Sequence, residues 1–156
     1  QLAPAQLQVV IHPQSVIHSL VEYVDGSMLA QLGAPDMRVP IAHALAYPQR
    51  FASGVSGLDL AQLSRFDFSA PDEQQFPCLR LARAALAERG SAPNVLNASN
   101  EIAVEAFLKR QITYTQIPVV IEKTLSVTAP GSATDLEGIL ALDGWARARA
   151  RENLAC

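Results

Sequence analysis

Three histidines, His12, His18 and His43, and one nearby hydroxyl, Ser15, are the residues best suited to acid–base or ligand chemistry. His12 and His18 stand six positions apart, which puts both imidazoles on one face if a strand runs unbroken through Pro13. Two such rings could share a metal. However, proline bends a strand, no third ligand stands at a useful spacing, and a catalytic zinc takes about three protein ligands. No metal site is therefore expected within this chain. In an apolar strand the default for a histidine is a hydrogen-bonded core position, and His12, His18 and His43 each take that reading when considered alone. Ser15 and His18 are not nearest neighbours on one face and have no acid placed behind them, so a nucleophilic triad is rejected.

Phosphate chemistry has no local device either. The chain contains no G-x-G-x-x-G and no Walker loop, so a nucleotide would have to be cradled elsewhere. The run Gly33-Ala34-Pro35-Asp36-Met37 joins a strand end to a helix start, where backbone N–H groups face outward and ligands sit. It equally describes a stiff connection with Asp36 as N-cap, and spacing leaves both open. Leu96-Asn97-Ala98-Ser99-Asn100-Glu101 reads as a polar first turn in which Asn97 and Asn100 cap a helix rather than hold a ligand. Cys78 and Cys156 are far apart and form no C-x-x-C pair, as expected of a reducing compartment.

The elements that must position these residues divide the chain. Its 156 residues suit one ordinary domain or two small ones. Twelve Lys+Arg against fifteen Asp+Glu give a net charge of -3, which disfavours nucleic acid and anionic membrane surfaces as partners. Charged residues make up 17% and apolar ones 49%, against roughly 25% charged in a typical soluble domain, so part of the surface is expected to be covered. Residues 1 to 21 lack any Asp, Glu, Lys or Arg, but Gln6, Gln8, Pro13, Gln14 and two histidines interrupt them. They read as interior strand, not a membrane span. The sequence begins at Gln1 with no Met, no basic n-region and no apolar h-region, and the chain is expected to be truncated at its front.

Gln8 to Ile11 and Val16 to Val24 read as strand, the latter with a period of two and apolar residues on both faces. Asp25-Gly26 supplies the two central residues of a tight turn, and Ser27 to Leu32 returns, making a hairpin. Met37 to Tyr47 has helical spacing, with Pro40 in its first turn and Pro48 at its end. Residues 49 to 76 show no sustained period, apart from a strand-like Phe66 to Phe68, and read as a linker between domains. Four helices follow. Their apolar stripes are Cys78, Leu81, Ala82, Ala85 and Leu86; then Val95, Ser99, Ile102, Ala103, Ala106 and Phe107; then Ile117, Val120, Ile121 and Leu125, capped by Thr115. The last begins at Thr134 with Glu137 in a capping box and ends in Arg147, Arg149 and Arg151. The fold class expected is α+β: a hairpin and helix, a linker, and a small four-helix bundle.

Val9-Val10-Ile11-His12-Pro13-Gln14-Ser15-Val16-Ile17-His18-Ser19-Leu20-Val21, then Asp25-Gly26-Ser27, then Ala30 to Arg38 with Pro40-Ile41-Ala42, resembles the 1-deoxy-D-xylulose 5-phosphate reductoisomerase family. Pro77-Cys78-Leu79-Arg80-Leu81-Ala82, Leu96 to Glu101, Ala103-Val104 and Ala106-Phe107-Leu108 resemble that family's C-terminal helical domain, in the same order. The resemblance runs from about Gln8 to the C-terminus and implies the end of an α/β catalytic and dimerisation domain over 1–48, a linker over 49–76 and the helical bundle over 77–156.

It also implies an NADPH-dependent oxidoreductase and isomerase of the non-mevalonate isoprenoid route, converting 1-deoxy-D-xylulose 5-phosphate to 2-C-methyl-D-erythritol 4-phosphate. NADPH and a divalent cation, Mg²⁺ or Mn²⁺, would be held mainly outside this chain, which alone should be inactive. His18 is implied as a catalytic and substrate-binding residue, Ser15 as a substrate-binding neighbour, and Pro35, Asp36 and Met37 as the turn beside the nicotinamide. Partners implied are a sugar phosphate and a second copy, in a homodimer through the hairpin 16–32, in a bacterial cytoplasm without nucleic acid or membrane. The alternative is a self-standing, non-catalytic helical interaction module. A sugar phosphate with a polarised ketone needs hydrogen-bond donors, and a hydride step needs an apolar wall such as Met37 to exclude water.

Overall fold

The computed structural model describes residues 3–127, 129 and 134–154. Its elements are β1 (Ile17–Glu22), β2 (Met28–Leu32), α1 (Arg38–Ala46), α2 (Leu60–Leu63), α3 (Pro77–Glu88), α4 (Ala92–Leu108), α5 (Ile117–Leu125) and α6 (Leu136–Leu154). The class is α+β. Two compact units result, one comprising Val9–Pro71 and the other residues 1–8 with Asp72–Cys156.

In the first unit, β1 and β2 form a two-stranded antiparallel sheet. The turn differs from the expected Asp25-Gly26 pair. Gly26 N–H donates to Tyr23 O (3.0 Å), and Tyr23 N–H to Ser27 O (2.9 Å), so Val24 and Asp25 are the central residues. Gly26, at φ +81°, is the left-handed residue that closes a three-residue loop, a conformation that suits glycine. Asp25 secures it, accepting from Ser27 N–H (2.9 Å) and Ser27 Oγ–H (2.6 Å), and these bonds hold its carboxyl below the usual range.

Residues 8 to 11 are not a strand of the sheet. Ile11 makes a single antiparallel bridge to Ser69 instead. Within this chain both faces of the hairpin are open: the cross-strand partners Val21 and Leu29 are 53% and 64% exposed on one face, and Met28 is 58% exposed on the other. The interior strand expected from the uncharged first residues is thus a solvent-facing one here. A single two-stranded ribbon cannot bury its own faces.

The second unit builds a buried core. α4 is its central helix, packing on α3, α5 and α6. Ala92, Val95, Ala98, Ser99, Ile102, Ala103 and Ala106 are buried at three- and four-residue intervals, a single stripe along the helix. Facing it, Leu142, Ala146 and Ala150 repeat every four residues on α6, and the alanines let the two backbones approach closely. Leu81, Ile102, Ile112, Ile117, Val120 and Ile121 complete the main core.

Several helix ends differ from expectation. α4 starts at Ala92, with Pro93 in its first turn, so Asn97 and Asn100 lie inside the helix and cap nothing. Asn97 Nδ2 donates along the helix to Glu101 Oε1 at 3.1 Å. A 3-10 turn, Tyr114–Gln116, precedes α5 and is capped by Thr113, not Thr115, through a reciprocal pair with Gln116. α6 begins with Asp135 rather than Thr134 as cap, since the Asp135 carboxylate accepts from Gly138 N–H at 2.7 Å. The helix also runs on to Leu154, which leaves Arg151 alone of the three arginines in its last turn. Arg147 instead ties α6 to α4, bonding Glu101 and Asp143, each at 2.6 Å. Cys78 is exposed, and Cys156 lies outside the described residues.

Candidate functional site

The residues singled out for chemistry gather at the open end of the hairpin. Ile17 pairs with Leu32 while Ser19 pairs with Gln31, so β1 carries one extra residue, and that residue is His18. A bulge re-aims a side chain out of the regular alternation. The His18 Nε2–H donates to Ser15 O at 3.1 Å, and Nδ1 lies 3.2 Å from the Gln31 side-chain oxygen. The ring is thereby held through Nε2, with the Gln31 side chain against its Nδ1, while remaining exposed.

Ser15 sits at the end of a tight turn in which its N–H donates to His12 O at 3.0 Å. Its φ of +52° is left-handed, unusual for a residue with a Cβ. His12 and His18 therefore do not share a strand face, because the turn from His12 to Ser15 separates them. His12 packs instead on the aromatic pair of the downstream segment, stacked on Phe68 (4.8 Å between centroids) and edge-on to Phe66 (6.0 Å). A carbonyl only accepts, so His12 Nδ1–H donates to Asp67 O at 2.9 Å. His43 lies edge-on to Tyr47 at 6.0 Å, and its buried Nδ1 has no partner among the described residues.

Across the sheet the chain leaves β2 through Gly33, whose N–H donates to Val16 O at 3.0 Å. A Cβ built on Gly33 would lie 3.9 Å from His18 Cε1, so the imidazole and this turn are neighbours. Asp36 then folds the turn into α1. Its Oδ1 accepts from Arg38 N–H (2.9 Å), and the Arg38 guanidinium forks onto the carboxylate at 2.7 to 3.1 Å. Those bonds hold the Asp36 carboxyl down at about 2. With Asp36 so engaged, the outward face belongs to Pro35 and Met37, and Met37 is 71% exposed.

Ser15, His18, Pro35, Asp36 and Met37 are thus set around one pair of strand ends. An open, mainly apolar pocket of about 400 Å³ lies alongside, lined by Leu32, Gly33, Ala34, Val39, Leu58 and Leu60 among others. It carries no titratable side chain and can seat an apolar group but do no proton chemistry. The arrangement as a whole offers a hydroxyl, an imidazole and an apolar wall. Among the described residues no group of three His, Cys, Asp or Glu could hold a metal, and no helix is long and apolar enough to cross a membrane.

Sequence reading missed Gln31, Gln14 and Asp67, which touch the site or its turn. Gln31 was within reach, since it stands two residues before Gly33 opposite the histidine strand. Asp67 lies 53 residues from Gln14, and no local pattern announces such a pair.

Residues 32–149 match the family described as DXP reductoisomerase C-terminal domain. The chain is 61% identical over 153 residues to 1-deoxy-D-xylulose 5-phosphate reductoisomerase of Nitrosomonas europaea, covering 98% of this chain and 37% of that protein. Among solved structures, the reductoisomerase from Zymomonas mobilis in complex with NADPH superposes with a TM-score of 0.85 at 46% identity, over 96% of this chain and 39% of that one. A reductoisomerase in complex with NADPH, fosmidomycin and magnesium gives 0.82 at 50% identity, over 94% and 38%. The chain therefore spans about two fifths of the length of the relatives it matches.

Proposed function

This chain belongs to the 1-deoxy-D-xylulose 5-phosphate reductoisomerase family, and from that premise we propose that it works as the C-terminal portion of an NADPH-dependent reductoisomerase. The whole enzyme would convert 1-deoxy-D-xylulose 5-phosphate to 2-C-methyl-D-erythritol 4-phosphate for isoprenoid synthesis by the non-mevalonate route, in the bacterial cytoplasm. The observation that carries the reading is the bulged His18, bonded through Nε2–H to Ser15 O, with Gln31 against it, beside the Gly33–Met37 turn. A substrate with several hydroxyls needs donors and acceptors held in place before it arrives. His18 and Ser15 supply them, His18 as a catalytic group against the sugar phosphate and Ser15 as its binding neighbour.

Pro35, Asp36 and Met37 form the wall for the nicotinamide. The exposed Met37 thioether gives a soft apolar surface that suits a flat ring and keeps water from a hydride step. NADPH supplies that hydride when bound, and its remaining contacts, like the ligands of the divalent cation, are placed mainly outside this chain. The three-part division, catalytic and dimerisation residues 1–48, linker 49–76 and bundle 77–156, is kept as part of the proposal.

Assembly follows from the hairpin. Leu20, Val21, Met28 and Leu29 leave apolar surface on both faces of β1 and β2, and a two-fold homodimer through residues 16–32 would cover it. The test of the catalytic reading is His18→Gln in the full-length enzyme, followed by NADPH oxidation with the sugar phosphate. A loss of about 1 to 3 kcal/mol of transition-state stabilisation, or roughly five- to 150-fold in kcat/KM, is expected with an unchanged melting temperature. Normal kinetics with lowered stability would return His18 to a structural role.

A further inference from the structure

Ser15 is a strained point. A left-handed φ on a residue with a Cβ is unfavourable and persists only where the surroundings enforce it. Its own turn supplies one bond, from Ser15 N–H to His12 O. The remaining restraint comes from a distant segment, residues 65 to 69, and most of it passes through one residue. Asp67 accepts from His12 Nδ1–H on its carbonyl at 2.9 Å. Its carboxylate accepts from Gln14 Nε2–H at 2.5 Å, and its N–H donates back to Gln14 Oε1 at 3.2 Å. Arg65 steadies the same carboxylate oxygen at 3.3 Å, and the Ile11 to Ser69 bridge aligns the two stretches.

Two successive anchors, His12 and Gln14, are therefore pinned immediately before Ser15, and Ser15 O is the acceptor that orients His18. We propose that Asp67, paired with Gln14, is a positioning residue that holds the Ser15 turn and through it the His18 imidazole. The inference rests on the reading of Ser15 and His18 as substrate-contacting groups. It adds a part of the chain, the segment after α2, that touches neither of them. The Gln14 amide makes both side-chain bonds of the pair, so its loss is the more damaging. An asparagine at 67 keeps an acceptor oxygen and the backbone N–H, and so keeps the clamp.

The experiment uses the full-length enzyme with NADPH, divalent cation and sugar phosphate, and compares Gln14→Ala, Asp67→Ala, Asp67→Asn, Gln14→Ala/Asp67→Ala, Ser15→Ala and His18→Gln. Gln14→Ala and Asp67→Ala are expected to lower kcat/KM by about three- to tenfold, Gln14→Ala the more. The melting temperature should move by less than about 2 °C, because the pair is at the surface. Asp67→Asn should recover most of the loss, and the double variant should be no worse than Gln14→Ala alone. If Ser15→Ala and His18→Gln lose activity while Gln14→Ala and Asp67→Ala do not, or lose only stability, the clamp is overturned and the site reading stands. If Ser15→Ala and His18→Gln keep wild-type kcat/KM, the site reading fails and the inference with it.

Discussion

The hairpin and the helical bundle treat apolar residues in opposite ways. In the bundle, Ala98, Ala103, Ala146 and Ala150 have no exposed surface, and Ile121 keeps 2%. In the hairpin, Val21, Met28 and Leu29 stand more than half exposed. Helices carrying one apolar stripe each can close a core among themselves, whereas a two-stranded ribbon has two faces and nothing of its own to put on them. The bundle thus closes a core of its own, although Leu108, Leu136 and Leu140 stay exposed on its surface. The hairpin leaves apolar residues open on both faces, and the candidate site sits at its open end.

The sharpest way to break the comparison is to charge each region in turn. Val21→Lys in the full-length enzyme should weaken dimerisation at least about a hundredfold, because a lysine buried in an apolar interface without an acid partner costs several kcal/mol. Arg83→Glu on α3, where Arg83 pairs with Glu73 at 3.2 Å on the surface, should leave assembly unchanged. Light scattering across a dilution series reads both. An undiminished dimer carrying Val21→Lys would show that the exposed faces are covered in some other way.

The next largest effect belongs to the bundle. Ile121→Ala removes a fully enclosed side chain touching the cluster of Leu81, Ile102 and Ile117, and should destabilise by about 2–5 kcal/mol, with little change in the dimer. A smaller loss is expected from Thr124→Val. The Thr124 hydroxyl donates to Val120 O at 2.7 Å and accepts from Asn153 Nδ2 at 3.1 Å. Valine fills the space but strands the Asn153 amide, for about 1–2 kcal/mol. Chemical denaturation distinguishes the two substitutions, and equal effects would mean that the Asn153 bond, not burial, dominates this joint.

What could be read in advance follows the same divide. Periodicity reports local burial, so the stripes through Leu81, Val95, Ile102, Val120 and Ile121 were legible, and so was the hairpin around Asp25-Gly26. Helix ends were less so. Thr113 and Thr115 are both plausible caps, and only the reach of Gln116 selects the first. The early start of α4 is signalled by Pro93, a residue at home in a first turn, while the polar run at 96 to 101 imitates a capped start one turn later. The bulge at His18 is a property of register between two strands, and the clamp on Gln14 joins residues 53 apart. Neither has a one-dimensional signature. The family resemblance drew attention to His18 and Ser15, and the fold supplies how they are held.

The smallest effect expected concerns Asp36, the hinge between the hairpin and α1. Three N–H groups of Arg38 converge on its carboxylate, and its pKa falls from 3.8 to about 2. A carboxyl lowered in the folded state binds its proton more readily when unfolded, so its stabilisation is complete above 3.8 and disappears as pH falls toward about 2. Asp36→Asn should therefore melt slightly below the wild type at pH 5, and the two curves should converge between pH 4 and pH 2. Because Arg38 is 62% exposed, the gap should stay within about 2 °C and shrink as salt is added. Melting temperatures at low and high ionic strength across that interval test the point. A gap that persists unchanged down to pH 2 would mean that the turn depends on the shape of residue 36 and not on its charge.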